Sequence, residues 1–214
     1  MSLGSRRSSF LACGLSHEEI RIKEYGVNVF WDFENLEVTL GQDDLLNLKR
    51  LIQTALKTLD GRLFINGNPR GLGKVKNSNS QAVEILNENG FYLEDVGTKT
   101  VRCNGCNSSL RRSANPNDDD PHERKTDVAD TLLVTEILFS AIAYYAFRNT
   151  PRYIMVITGD QDFIDTLEEL TDKGFRVLLV IPDEDSWKRK LPALRARFSG
   201  VWYWKTLKIG GRCA

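Results

Sequence analysis

Residues 153–181 read YIMVITGDQDFIDTLEELTDKGFRVLLVI. The two apolar runs, Tyr153–Ile157 and Val177–Ile181, have the length and residue types of buried strands. Between them, Phe163–Leu170 carries apolar residues at helical spacing and stops before Gly174, while Pro182 ends the second run. A strand, a helix and a strand this close together predict a parallel β-α-β unit, because parallel neighbours need a crossover.

The alternation extends outward from this unit. Val27–Trp31 (VNVFW) predicts a buried strand, and Asp43–Lys57 a helix with Leu45, Leu48, Ile52 and Ala55 on one face. Arg62–Ile65 and Phe91–Leu93 read as further strands, with part of a helix at Gln81–Leu86 between them. Thr126–Phe147 predicts a long helix, apolar nearly all round and therefore buried on most sides. Beyond Pro182 come a basic helix and a last strand at Val201–Trp204. Strands alternating with helices predict a three-layer α/β/α fold with a mainly parallel central sheet. The reading places one domain at 25–205, an extension at 1–24 that is flexible or a short helix, and a tail at 206–214. Ser16 and Glu19 have the spacing of a capping box for a helix in that extension.

The chain has 214 residues, 41% of them apolar, with 29 Lys plus Arg against 29 Asp plus Glu. Zero net charge speaks against a nucleic-acid partner if the charges are evenly spread. No stretch approaches the ~18 uncharged apolar residues of a membrane span, so a soluble protein without a membrane partner is expected. Four cysteines are too sparse for a disulfide scaffold and point to a reducing compartment, cytoplasmic or nuclear. The acid-free, Ser- and Arg-rich start of the chain leaves organelle targeting open. Segment 98–125 is long for a connection inside a compact domain, which marks a functional loop or local disorder.

In a parallel sheet the ligand cleft lies beyond the carboxyl ends of the strands, and here those ends are acidic. Asp32 follows the first strand, with Glu34 and Asn35 beside it; Asp160 and Asp162 follow the fourth; Asp127 and Asp130 open the long helix. Taken singly, each reads equally as a helix cap or turn residue. Taken together they read as a metal site, because clustered carboxylates repel by about 1 kcal/mol per pair in water, and a divalent cation offsets that repulsion. Oxygen ligands suit Mg²⁺ or Mn²⁺, and a metal pair suits in-line displacement at phosphate.

Three blocks, VNVFWDFEN, KTDVADTLLVTEIL and VITGDQDFIDTLEELTDKGFRVLLV, resemble the NYN domain family, a branch of the PIN-like nucleases. The resemblance runs over roughly Tyr25 to Lys205, in family order, and extends to the ribonuclease domains of meiotic RNA-regulating proteins. It implies an acidic cluster at the carboxyl ends of a parallel sheet, Mg²⁺ or Mn²⁺, and RNA cleavage. Carried over by position, the family acids fall on Asp32, Asp130, Asp160 and Asp162, with Asn35 completing the first pattern and Lys125 preceding the middle one. Thr158 replaces the family serine and keeps its hydroxyl. A further family acid falls on Glu136, which the helix period turns away from Asp130. Asp127 and Lys125 would support the site from outside the ligand set.

The resemblance therefore implies a metal-dependent endoribonuclease acting on single-stranded or unpaired RNA, with partner proteins supplying specificity. An RNA-binding or scaffold module with a weak site, or a nucleotide phosphohydrolase, is the alternative. Phosphate contacts are expected from Lys188, Arg189 and Lys190, in a C-terminal stretch free of acids from Ser186 onward. Arg70, Lys74 and Lys76 lie in a Gly-rich segment expected to form a loop on the cleft side. That segment is not a phosphate loop: five residues separate Gly67 from Gly73, and Val75 stands where a hydroxyl is needed. The interleaved aromatics Trp187, Trp202, Tyr203 and Trp204 offer faces for base stacking, but are expected rather in the core. Cys103 and Cys106 are half of a Zn²⁺ site, with His122 the nearest third ligand, and read as incidental thiols in a loop rather than as ligands.

Overall fold

The computed structural model describes residues 15–33, 42–73, 80–96, 99–102, 123–126, 128–147, 150–209, 211 and 213. In chain order the elements are α1 (His17–Tyr25), β1 (Gly26–Asp32), α2 (Gln42–Leu59), β2 (Phe64–Ile65), β3 (Arg70–Gly73), α3 (Ser80–Glu88), β4 (Tyr92–Asp95), β5 (Lys99–Arg102) and β6 (Glu123–Thr126). There follow α4 (Val128–Ala146), β7 (Tyr153–Ile157), α5 (Phe163–Asp172), β8 (Arg176–Ile181), α6 (Asp185–Arg197), β9 (Gly200–Tyr203) and α7 (Trp204–Leu207). Ser16 and Glu19 form the expected capping box at α1, each side chain bonding the other's backbone N–H.

Seven strands form the main sheet in the order β4-β3-β1-β7-β8-β9, with β2 also on β1, and every pair is parallel. The β-α-β unit read from residues 153–181 is β7-α5-β8. Strand alternation divides the core in two. Val27, Val29 and Trp31 of β1 pack with α2, α3 and α7, whereas Phe30 packs on the other face with residues of α4, α5 and α6. β8 contributes Leu178 and Val180 to the first core and Val177, Leu179 and Ile181 to the second, which explains its unbroken apolar run. This is the three-layer α/β/α architecture expected, and the three tryptophans expected in the core are buried there.

Three expectations are corrected. First, Arg70–Gly73 is a strand, not a loop, wedged between β1 and β4. Gly71 permits this, since a Cβ there would lie 2.5 Å from the Leu93 side chain and 3.0 Å from the Trp31 carbonyl oxygen. Second, segment 98–125 contributes to an antiparallel pair, β5 with β6, in which Lys125 is opposite Thr100.

The third correction concerns α4. Ala129, Leu133, Ile137 and Ala141 recur every fourth residue and are buried against the sheet, but Leu138, Phe139, Ile142 and Tyr145 are exposed on the outer side. A helix apolar all round had implied burial on most sides; here only one stripe meets the sheet. Ala129–Ala146 is also long and apolar enough to cross a membrane by length and composition, with Asp130 and Glu136 inside the stretch.

Candidate active site

The sheet order creates a crevice. β1 and β7 are neighbours, but the chain leaving β1 continues through α2 on one face, and the chain leaving β7 continues through α5 on the other. Connections that diverge in this way leave an opening at the carboxyl ends of the two strands, where open α/β sheets bind ligands.

Register brings two polar residues together at that point. Trp31 pairs with Ile157, so Asp32 and Thr158 are the next residues on adjacent strands. They are the buried polar side chains among the described residues, 1% and 0% exposed. The Thr158 hydroxyl donates to Asp32 Oδ2 at 2.7 Å and accepts the Asp160 backbone N–H at 2.9 Å. A buried carboxylate is costly without such a partner. One hydroxyl thus fixes the Asp32 carboxylate and the loop bearing the other two acids.

That loop is itself ordered. Asp160 Oδ1 accepts the Asp162 backbone N–H at 2.9 Å, a side-chain turn that starts α5. Asp162 occupies the N-cap position of α5, yet its carboxylate makes no capping hydrogen bond. The cap reading therefore does not account for this acid. Lys190, on α6, donates to the Gln161 side chain between the two acids at 2.5 Å. Sequence spacing gave no sign of this link, because it joins residues 29 apart.

Asp130 lies in the first turn of α4, half-buried, on the helix that covers the Phe30 side of β1. By alternation Asp32 is on that same side. Glu136 instead pairs with Arg70, Nη1 to Oε2 at 2.6 Å, in accord with its exclusion from the ligand set. Arg70 opens β3 at its amino-terminal end and is engaged in that pair, so it is not on a cleft-side loop. Lys188 pairs with Asp183 at 3.2 Å and Asp185 at 3.4 Å, the acids immediately preceding the acid-free stretch, and they hold its ammonium above the usual lysine pKa. Arg189 is exposed on α6. Glu34, Asn35, Lys74, Lys76, Cys103, Cys106, His122 and Asp127 lie outside the described residues, as does the side chain of Lys125.

The donor set offered is carboxylate oxygen, which suits Mg²⁺ and Mn²⁺ and not soft-ligand metals. Among the described residues no three His, Cys, Asp or Glu side chains converge into a ready-made cage. Mg²⁺ does not require one: it is commonly held by one or two carboxylates, several waters and the phosphates of its substrate.

A parallel sheet between two helical layers, with acids at its switch point, is the architecture of PIN-like domains. The chain belongs to the NYN domain family, whose model matches residues 26–199, and NYN domains are PIN-like nuclease domains. No curated protein and no solved structure matches the chain.

Proposed function

We propose that this chain is a Mg²⁺- or Mn²⁺-dependent endoribonuclease that hydrolyses single-stranded or unpaired RNA. The observation that carries the reading is the hydrogen-bonded run Asp32–Thr158–Asp160–Asp162 at the crevice between β1 and β7, in a chain of NYN family membership. Asp32, Asp130, Asp160 and Asp162 would hold one or two cations, with Asn35 and Asp127 beside them. When bound, the cation supplies Lewis acidity at the phosphate and a more acidic water. The chain's own residues do the placing: Thr158 locks the Asp32 carboxylate, the Asp160 turn presents Asp162, and Lys190 positions the Gln161 loop. Lys125, Arg189 and Lys190 receive phosphate. In-line displacement of the 3′ oxygen leaves 5′-phosphate and 3′-hydroxyl ends.

The test is incubation of end-labelled single-stranded RNA with Mn²⁺. The wild-type chain is expected to cut internally, while Asp160→Asn and an EDTA control are expected to be slower by at least about a hundredfold, the order of loss for an electrostatic contributor to catalysis. RNA bound but left intact would sink the nuclease reading in favour of a binding module. Turnover confined to free nucleotides would favour a phosphohydrolase, and cleavage that persists in EDTA would remove the metal.

A further inference from the structure

Outside the acidic crevice, the described residues line an open cavity of about 450 Å³ beside α4. Its origin is a slip in register. β2 pairs with β1 as Gly26 with Phe64 and Val27 with Ile65, whereas β3 resumes as Phe30 with Arg70. Asn28 and Val29 therefore face a four-residue detour, 66–69, which leaves the strand through Gly67 at φ 72°. That left-handed conformation favours glycine, and the detour opens the sheet surface under the second half of α4.

The cavity's floor is a run of uncharged polar groups. Asn28 Nδ2 donates to Ser140 Oγ at 2.7 Å, and Asn66 Nδ2 donates to Asn28 Oδ1 at 2.9 Å. Among the described residues, the Ser140 hydroxyl hydrogen, the second N–H of each amide and the Asn66 carbonyl oxygen have no further hydrogen bond. Phe139, 62% exposed, stands at the rim. Arg70 and Glu136 also line the cavity and neutralise one another. Donors and acceptors side by side, a flat ring and no net charge fit an uncharged planar heterocycle with mixed hydrogen-bonding edges, and the volume is within the range of small-ligand sites.

We propose that this cavity is a base-binding subsite for an unstacked nucleotide of the RNA strand, with Phe139 stacking on the base and the Asn28–Asn66–Ser140 run reading its edge. The inference rests on the ribonuclease reading above. The site lies along the same strand as the acids: Asn28 precedes Asp32 by four residues on β1, about 13 Å along the strand, and Arg70 at the cavity's edge precedes by two residues Leu72, the register partner of Asp32.

Binding of a short fluorescent single-stranded RNA is measured by anisotropy in EDTA, for wild type, Phe139→Ala and Ala143→Leu. The first variant removes the stacking ring, and the second narrows the cavity from α4. Each is expected to bind roughly tenfold more weakly, the order of one lost base–aromatic stack. The slope of log Kd against log salt should stay unchanged, because no phosphate contact is lost. In a scan that makes one nucleotide abasic at a time, one position should weaken wild type and leave Phe139→Ala unaffected. A flat scan, or a Phe139→Ala chain that binds as wild type does, overturns the subsite even if RNA is cleaved. Should Ala143→Leu not fold, Phe139→Ala and the scan decide alone. A wild-type chain that neither binds nor cuts RNA overturns both the subsite and the reading beneath it, whereas displacement of the strand by free adenosine or uridine with a flat scan assigns the cavity to free nucleosides instead.

Discussion

Thr158 is where a single atom has most to do. Its hydroxyl both donates to the buried Asp32 carboxylate and accepts from the Asp160 N–H. Thr158→Val keeps the shape and deletes both bonds, so the buried carboxylate loses one partner and the Asp160 turn loses its anchor. A hydrogen bond to a charged group contributes about 1.5–3 kcal/mol, and a loss of that size is expected in urea unfolding. Cleavage should fall with it, since the acids lose their alignment. Thr158→Ser retains the hydroxyl and should restore most of both. Thr158→Val at wild-type stability and rate would show that the hydroxyl does not organise the acids. The sequence made this residue visible only through the resemblance, where serine gives way to threonine; spacing alone marked Asp32, Asp160 and Asp162 and said nothing of the atom between them. The register of β1 on β7 supplies that link, and register is a long-range property.

At the level of elements, β7, α5 and β8 were legible because each is buried on its own period, and local pattern then coincides with tertiary environment. β3 was not. Its sequence, RGLG, has two glycines and no β-branched residue, and it becomes a strand because β1 and β4 close on either side of it. The helix α4 failed in the opposite way, since its composition carries no contrast between faces and the pattern could not say which side meets the sheet. The structure makes that distinction testable. Ile137, fully buried, should cost about 2–5 kcal/mol when replaced by Ala, as core aliphatics do. Ile142, five residues further on and 62% exposed, should change stability by less than about 0.5 kcal/mol when replaced by Ala. Equal losses from the two variants, read from thermal or urea unfolding, would mean that the outer face of α4 is covered in solution.

Across the whole molecule, charge is organised by place rather than by sum. Zero net charge gives no general attraction for a polyanion, so RNA affinity has to come from local surfaces, and these oppose one another. Acids occupy the switch point, while α6 brings Lys190 to the Gln161 loop and leaves Arg189 exposed beside it. The acid-free C-terminal stretch is less uniformly basic than it reads, because Lys188 folds back on Asp183 and Asp185 from just before it. Such exposed pairs are weak, yet they offset the charge that a phosphate would meet. The two neighbours should therefore differ. Arg189→Ala is expected to weaken single-stranded RNA binding and to make the salt dependence shallower by about 0.7 in the log–log slope, the release of one counterion from a single strand. Lys188→Ala should change the slope by distinctly less, because the Lys188 charge is already offset by Asp183 and Asp185 and neutralises less of a phosphate. Titrations at several salt concentrations measure both slopes. An unchanged slope for Arg189→Ala takes that residue off the phosphate path, and equal slopes for the two variants would mean that RNA displaces Asp183 and Asp185 from Lys188 on binding.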